Sequence, residues 1–339
     1  METIESPFQF EVGGTHLRGL MVHPRTARPR AVIHLLSGSG PQDRDQSIAG
    51  HRPFRRLAHE LGSGGFAVAR WDDRGVGESG GDYQSVDANQ LVEDVGHAMR
   101  QTEHVLGPGR QVLVGHSQGT IIGTQAAVRY SDRVSALVLL APMLVEGRRG
   151  LLQQHEAICR AEGWDEEAVA ASLAFKTEAF DLLTEAQSAV ESGDDPVRVQ
   201  ADLAVNLRQW ATGGQKKAAF SSDQLAEIEC IVDDLLEWEW RFLLSVNPAQ
   251  DLSAVRCPVL AVFGGSDTQV DMTENVRVWN QCMSQRGRAD LRVLSEHNHL
   301  FQQCRSGRPS DYSSETECMS PLLVNTLRQW LAAAVQAPP

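Results

Sequence analysis

Gln111-Val112-Leu113-Val114-Gly115-His116-Ser117-Gln118-Gly119 is a short apolar strand running into Gly-x-Ser-x-Gly, and a helical pattern follows at once in Ile121, Ile122, Ala126 and Ala127. A strand that turns directly into a helix holds the residue at the turn in strained backbone geometry. The positions two before and two after it must be small to avoid collision, which Gly115 and Gly119 satisfy. Such a turn pushes the Ser117 hydroxyl into the open and aims the Gln118 N–H at the same spot. A glycine-rich turn with an incidental serine has the same five letters. The strand before and the helix after are what mark a nucleophile elbow.

The chain alternates strands and helices on both sides of this stretch. Upstream, Phe8 to Val12, a Gly13-Gly14 turn and Thr15 to Val22 read as an antiparallel hairpin. Ala31-Val32-Ile33-His34-Leu35-Leu36 is an apolar run suited to a sheet interior, and it ends in the small-residue loop Ser37-Gly38-Ser39-Gly40-Pro41. Phe54, Leu57, Ala58 and Leu61 then share one helix face. Phe66 to Ala69 is the next strand, opening at Arg70 into Trp71-Asp72-Asp73-Arg74-Gly75-Val76-Gly77, and Leu91 to Val105 carries helical spacing. Downstream, Ala136 to Leu140 is a strand closed by Ala141-Pro142. The pattern from about 143 to 250 is helical only, as at Ile228, Ile231, Val232 and Leu235, with breaks near Asp194-Asp195-Pro196 and Gly213-Gly214. Four of the seven tryptophans (164, 210, 238 and 240) fall there, and core packing is the plainer reading of each. The alternation resumes with Cys257 to Phe263, a helix around Val276 to Met283, the strand Leu291 to Leu294, and a last helix with Leu323, Leu327, Trp330 and Leu331 that frays into Ala337-Pro338-Pro339. This rhythm is that of a doubly wound α/β fold with a mostly parallel sheet flanked by helices. The expected division is a core of 1–142 and 251–339 with a helical cap at 143–250.

Composition narrows the function classes. A net charge of −13 with no basic run argues against a nucleic-acid surface. The N-terminus lacks a basic stretch followed by an apolar one, and no run of about 18 apolar residues occurs, so neither a secretory signal nor a membrane span is expected. Cys159, Cys230, Cys257, Cys282, Cys304 and Cys318 are scattered without a C-x-x-C pair, which fits reduced thiols and a cytoplasmic setting. No H-E-x-x-H or P-loop is present, so no metal and no organic cofactor is expected.

Serine needs a base to take its proton, and the base needs a carboxylate to fix its tautomer. On this architecture the order is Ser, acid, His, each just past a strand. Ser117 comes first. Asp267, after Gly264-Gly265-Ser266, follows the strand that opens the second core segment, and His297 and His299 both follow the last strand. An aspartate there is also a common turn residue. His116 and His34 read as packing residues. Two N–H donors must meet the oxyanion of a tetrahedral intermediate. Gln118 supplies one, and Ser39 in the loop after the first buried strand supplies the other, with Gly40 as the alternative.

Four segments carry a resemblance: Gly38-Ser39-Gly40-Pro41-Gln42-Asp43-Arg44-Asp45, Asp72-Asp73-Arg74-Gly75-Val76-Gly77-Glu78-Ser79, Gly115-His116-Ser117-Gln118-Gly119, and Asn298-His299-Leu300-Phe301-Gln302. The chain resembles an α/β-hydrolase of the serine-esterase branch, related to the peptidase S9-like hydrolases. The resemblance implies an α/β-hydrolase fold, selects His299 over His297 as the base, and matches Gly264-Gly265-Ser266-Asp267 to the loop that delivers the acid. It departs at Ser37-Gly38, where His-Gly is usual, and is weakest in the cap, where Trp240-Arg241-Phe242-Leu243 and Asn247-Pro248 are the recognisable parts. The expected activity is cleavage of a carboxylic ester through Ser117, His299 and Asp267. Thioesterase, lactonase, amidase and acyltransferase chemistry on the same residues are alternatives, as is a non-catalytic binding protein on the same fold. The expected partner is a small-molecule ester, thioester or lactone, taken by a monomer or a homodimer, with no nucleic acid or membrane involved.

Overall fold

The computed structural model describes residues 1–213, 222, 226, 230, 232–233 and 235–336. Of the helical expectations, Ile228 and Ile231, together with Gly214 and the terminal Ala337-Pro338-Pro339, lie outside the described residues. The chain divides into two compact units, Met1–Glu146 with Asn247–Pro339, and Gly147–Val246.

In the first unit the order is β1 (Thr3–Val12), β2 (Thr15–Pro24), β3 (Val32–Leu36), α1 (Pro53–Ser63), β4 (Ala67–Trp71), α2 (Ala88–Leu106), β5 (Gln111–His116), α3 (Gln118–Arg129) and β6 (Val134–Leu140). The second unit holds α4 (Gly147–Ala161), α5 (Glu166–Glu191), α6 (Pro196–Ala211) and α7 (Trp238–Ser245). The first unit resumes with α8 (Pro248–Ala254), β7 (Val259–Gly264), α9 (Met272–Met283), β8 (Ala289–Leu294) and α10 (Pro321–Ala334).

One eight-stranded sheet runs β1-β2-β4-β3-β5-β6-β7-β8. The β1–β2 and β2–β4 pairs are antiparallel, and every other pair is parallel. β3, β5 and β7 are buried at every position, as strands covered on both faces must be. On one face Ile33, Leu35, Val112, Val114, Val138 and Val262 pack with Leu57 and Leu61 of α1 and with Leu323, Leu327 and Leu331 of α10. On the hairpin side, Phe8, Phe10, Leu17, Met21, Val32 and Ala69 form a second cluster with Ala98 of α2. Local chemistry starts the helices. Asp87 and Gln90 make a capping box at α2, and Pro53 and Pro321 occupy first-turn positions whose N–H would have no partner.

One boundary differs from expectation. β4 continues through Arg70 and Trp71, where the charged residue reads as the end of the strand. Arg70 is 1% exposed and lies between two carboxylates, with Nη2 donating to Glu5 at 2.8 Å and Nε to Asp45 at 2.9 Å. Pairing is what lets an arginine stay in a sheet. His34 is a packing residue, as its place in a strand suggests. Its Nε2–H donates to Gln111 Oε1 at 2.7 Å, and burial pushes its pKa down to about 4.

In the second unit, Asp165 and Asp195 cap α5 and α6 by accepting from the N–H groups of Ala168 and Val197. Its aromatic residues pair with one another, Trp210 with Phe175 at 3.8 Å between ring centres and Trp240 with Phe180 at 5.8 Å. Lys176 Nζ sits 4.8 Å from the centre of the Trp240 ring. No helix among the described residues is long and apolar enough to cross a membrane.

Candidate active site

Ser117 links β5 to α3 with φ 54° and ψ −122°, a conformation that L-residues rarely adopt. Its N–H donates to Leu140 O at 2.9 Å, so the neighbouring strand β6 anchors the turn. Both flanking glycines are obligatory on steric grounds. A Cβ on Gly115 would lie 2.2 Å from Gly119 O, and one on Gly119 would lie 2.3 Å from Leu36 O.

Asp267 follows β7, and its two carboxylate oxygens have different work. Oδ1 accepts from the backbone N–H groups of Gln269 at 2.7 Å and Val270 at 3.0 Å, the usual habit of a turn aspartate. Oδ2 accepts from His299 Nδ1–H at 2.8 Å. One carboxylate thus closes its own turn and also meets the His299 ring. His297, the competing histidine, turns elsewhere and donates from Nδ1 to Ser295 O at 2.6 Å.

The pentapeptide Asn298 to Gln302 is a closed loop around His299. Asn298 Oδ1 accepts from Leu300 N–H at 3.1 Å and Gln302 N–H at 2.9 Å, and Asn298 Nδ2 donates to Gln302 Oε1 at 2.8 Å. Phe301 takes φ 58° within it and is wholly buried. β7 closes against this loop through Gly264, where a Cβ would lie 2.5 Å from His297 O.

The loop after β3 runs along the elbow. A Cβ built on Gly38 would lie 3.4 Å from Ser117 Cβ and 3.5 Å from His116 Nδ1. Among the described residues, the N–H groups of Ser39 and Gln118 have no hydrogen-bond acceptor, which leaves both available to an incoming oxyanion.

Several residues hold this arrangement to which sequence reasoning gave no role in the site. Asp73 braces the loop by accepting from Gln42 N–H at 2.9 Å and from Ser37 Oγ at 3.3 Å. Asp72 accepts from the backbone N–H groups of Arg44 at 2.8 Å and Glu78 at 2.9 Å, and from Arg44 Nε at 2.9 Å. The two acidic-basic motifs of the resemblance are thus one clamp on the loop that carries Ser39. In the sequence both segments carry the resemblance, but what joins them is the pairing of the strands they follow, β3 and β4. His116, read as packing, donates from Nε2 to His299 O at 2.9 Å, and its Nδ1 accepts from Gln46 Nε2 at 2.7 Å. Among the described residues, no group of three or more His, Cys, Asp or Glu is arranged to hold a metal ion.

A family model described as serine aminopeptidase, S33, matches residues 29–229, more than half of the chain. The chain belongs to that family. The match takes in Ser39, Ser117 and Gln118 and stops short of Asp267 and His299. It assigns the chain to S33 and lends no support to the S9-like branch suggested by the motifs. Esterase EstD of Thermotoga maritima is 27% identical over 126 residues, which is 37% of this chain and 30% of the relative, so the match spans less than a third of that protein. Among solved structures, a carboxyl esterase from Bacillus coagulans aligns with TM-score 0.58 at 14% identity over 99% of each chain. The Pyrococcus furiosus esterase PF2001 aligns with TM-score 0.55 at 13% identity, covering 96% of this chain and 91% of that one. At these identities the likeness is one of fold, and the S33 chain has the α/β-hydrolase fold.

Proposed function

We propose that the protein is a serine hydrolase cleaving carboxylic esters of small molecules, with Ser117, His299 and Asp267 as its catalytic triad. The observation that carries this reading is the 2.8 Å bond from His299 Nδ1–H to Asp267, in a fold whose elbow holds Ser117 at φ 54°. With Nδ1 donating to the carboxylate, Nε2 is the nitrogen left to accept a proton. Ser117 Oγ attacks the ester carbonyl as His299 Nε2 takes its proton, and Asp267 stabilises the imidazolium that forms. The N–H groups of Ser39 and Gln118 receive the oxyanion. Collapse of the tetrahedral intermediate expels the alcohol, which takes the proton from His299, and leaves an acyl group on Ser117. Water, deprotonated by His299, then releases the acid. The name of the curated relative and those of the structural neighbours support an ester as the scissile group.

The family's description favours a second reading, cleavage of an aminoacyl amide by the same residues. The helical unit Gly147–Val246, the expected cap, is proposed to select the acyl or alcohol part. The six cysteines all stand as free thiols, which supports a cytoplasmic setting.

Intact-mass spectrometry after fluorophosphonate treatment tests the site, beside turnover of p-nitrophenyl esters and aminoacyl p-nitroanilides. One adduct on the wild type and none on Ser117→Ala is expected, with ester turnover exceeding amide turnover. An unlabelled wild type, or a fully active Ser117→Ala, would sink the reading.

A further inference from the structure

A buried pair of side chains outside the triad lies against His299. His116 is 5% exposed and Gln46 is 3% exposed, and they meet at 2.7 Å between Gln46 Nε2 and His116 Nδ1. His116 Nε2 lies 2.9 Å from the carbonyl oxygen of His299, and the two imidazole rings are 4.8 Å apart. We propose that His116 and Gln46 are positioning residues, which hold the main chain of His299 so that its imidazole meets Ser117 in register. The inference rests on the hydrolase reading above.

Hydrogen-bond roles in this chain are forced one by one. A peptide carbonyl only accepts, so His116 Nε2 carries the proton and donates to His299 O. Nδ1 is then an acceptor, and Gln46 must present its amide nitrogen. Gln46 Oε1 is buried without a partner among the described residues, so the amide accepts an unsatisfied oxygen in order to face Nδ1 with Nε2. Gln46 is itself held in the left-handed region at φ 51°, with its N–H donating to Asp43 O at 2.9 Å. Burial, helped by the neighbouring His299, pushes the His116 pKa down to about 3, so the ring stays neutral and this single tautomer persists.

The geometric consequence lies at His299. Asp267 grips its ring at Nδ1, and His116 grips its backbone at the carbonyl. The bond to Asp267 sets the ring's side-chain torsions, and the bond to His116 fixes the main chain from which the ring projects. Because His116 directly precedes Ser117, the second hold ties the base to the elbow of its own nucleophile.

The test uses the full chain carrying His116→Phe, His116→Gln, Gln46→Leu, or His116→Phe with Gln46→Leu. Active sites are counted by end-point fluorophosphonate labelling, and folding is checked by circular dichroism. His116→Phe keeps a ring and loses the donor, so kcat per labelled site is expected to fall roughly a hundredfold with KM little changed. His116→Gln restores an N–H within reach of His299 O and is expected to recover most of kcat. Gln46→Leu should lower kcat in the same manner, and the double variant should be no worse than His116→Phe. Packing alone would cost folded protein and leave kcat per labelled site intact. That result, or effects of Gln46→Leu and His116→Phe that multiply independently, overturns the proposal while wild-type labelling upholds the hydrolase. A wild type that takes no label overturns the parent reading, and this inference with it.

Discussion

Asp267 spends one carboxylate oxygen on its own turn and the other on His299, whose Nδ1–H it meets at 2.8 Å with both side chains at most 5% exposed. Because Gln269 and Val270 fix Oδ1, the position of Oδ2 is set before any substrate arrives. Asp267→Asn should keep the turn and present the wrong group to Nδ1. We expect kcat to fall on the order of 10⁴-fold with KM nearly constant. Steady-state kinetics on a p-nitrophenyl ester checks this, and a loss confined to KM would contradict the assigned role.

Gly119→Ala puts a methyl group 2.3 Å from the backbone oxygen of Leu36, at the end of the strand that leads into the Ser39 loop. Backbone cannot rotate away as a side chain can, so the elbow and that loop must separate. The expected cost is about 1–3 kcal/mol of stability, together with loss of most turnover. Urea unfolding and kinetics on the same sample would show it. Wild-type stability with wild-type activity would mean that the close approach is misplaced.

Arg74 and Asp94 form a buried bidentate pair, with Nε to Oδ2 at 2.8 Å and Nη2 to Oδ1 at 2.5 Å. Asp94→Ala strands the guanidinium, and a loss of about 3–5 kcal/mol is expected. Arg74→Met with Asp94→Leu removes both charges and should lose less than the single change. The comparison is read from urea midpoints, and a single variant as stable as the double would refute it.

Two buried histidines give the fold an acid-side weakness. His34 is lowered to about 4 and His116 to about 3, both chiefly by burial, from an ordinary 6.5. Between those values the unfolded chain binds protons that the folded chain cannot. Their contribution is complete above pH 6.5 and is lost as pH falls from there toward 4 and then 3. Together they amount to about several kcal/mol at the acid end. Unfolding free energy measured from pH 7 to 4 should decline less steeply in His34→Gln than in the wild type. Equal slopes would exclude His34 as a contributor.

The parts of the site that were legible in the sequence are those whose chemistry is written within a few adjacent residues. Gly115-His116-Ser117-Gln118-Gly119 states its own turn, because the glycine spacing, the strand and the helix are all local. Asp267 and the 297–299 loop could be placed by strand order alone, although only the resemblance separated His299 from His297. What stayed hidden was held by side chains distant in sequence. Nothing in the local pattern around Gln46 announces that it reaches His116, and His116 in an apolar run reads as packing. Arg70 misled for a related reason. Periodicity treats a charge as the end of a strand, and the partners that cancel it, Glu5 and Asp45, belong to other segments. Tertiary pairing overrode the local signal.

β6 and β7 lie side by side, with Leu137 opposite Val259, although an entire helical unit separates them in the chain. That unit closes its own neck, where Gly147 N–H donates to Val246 O at 3.1 Å. The entropy of bringing two strands together grows only logarithmically with the chain between them. The insert can therefore lengthen, shorten or be exchanged at little entropic penalty and without shifting the sheet register by a residue. In evolutionary terms the seam between β6 and β7 is a port. Whole modules can be traded there while the strands that carry Ser117 and Asp267 keep their alignment.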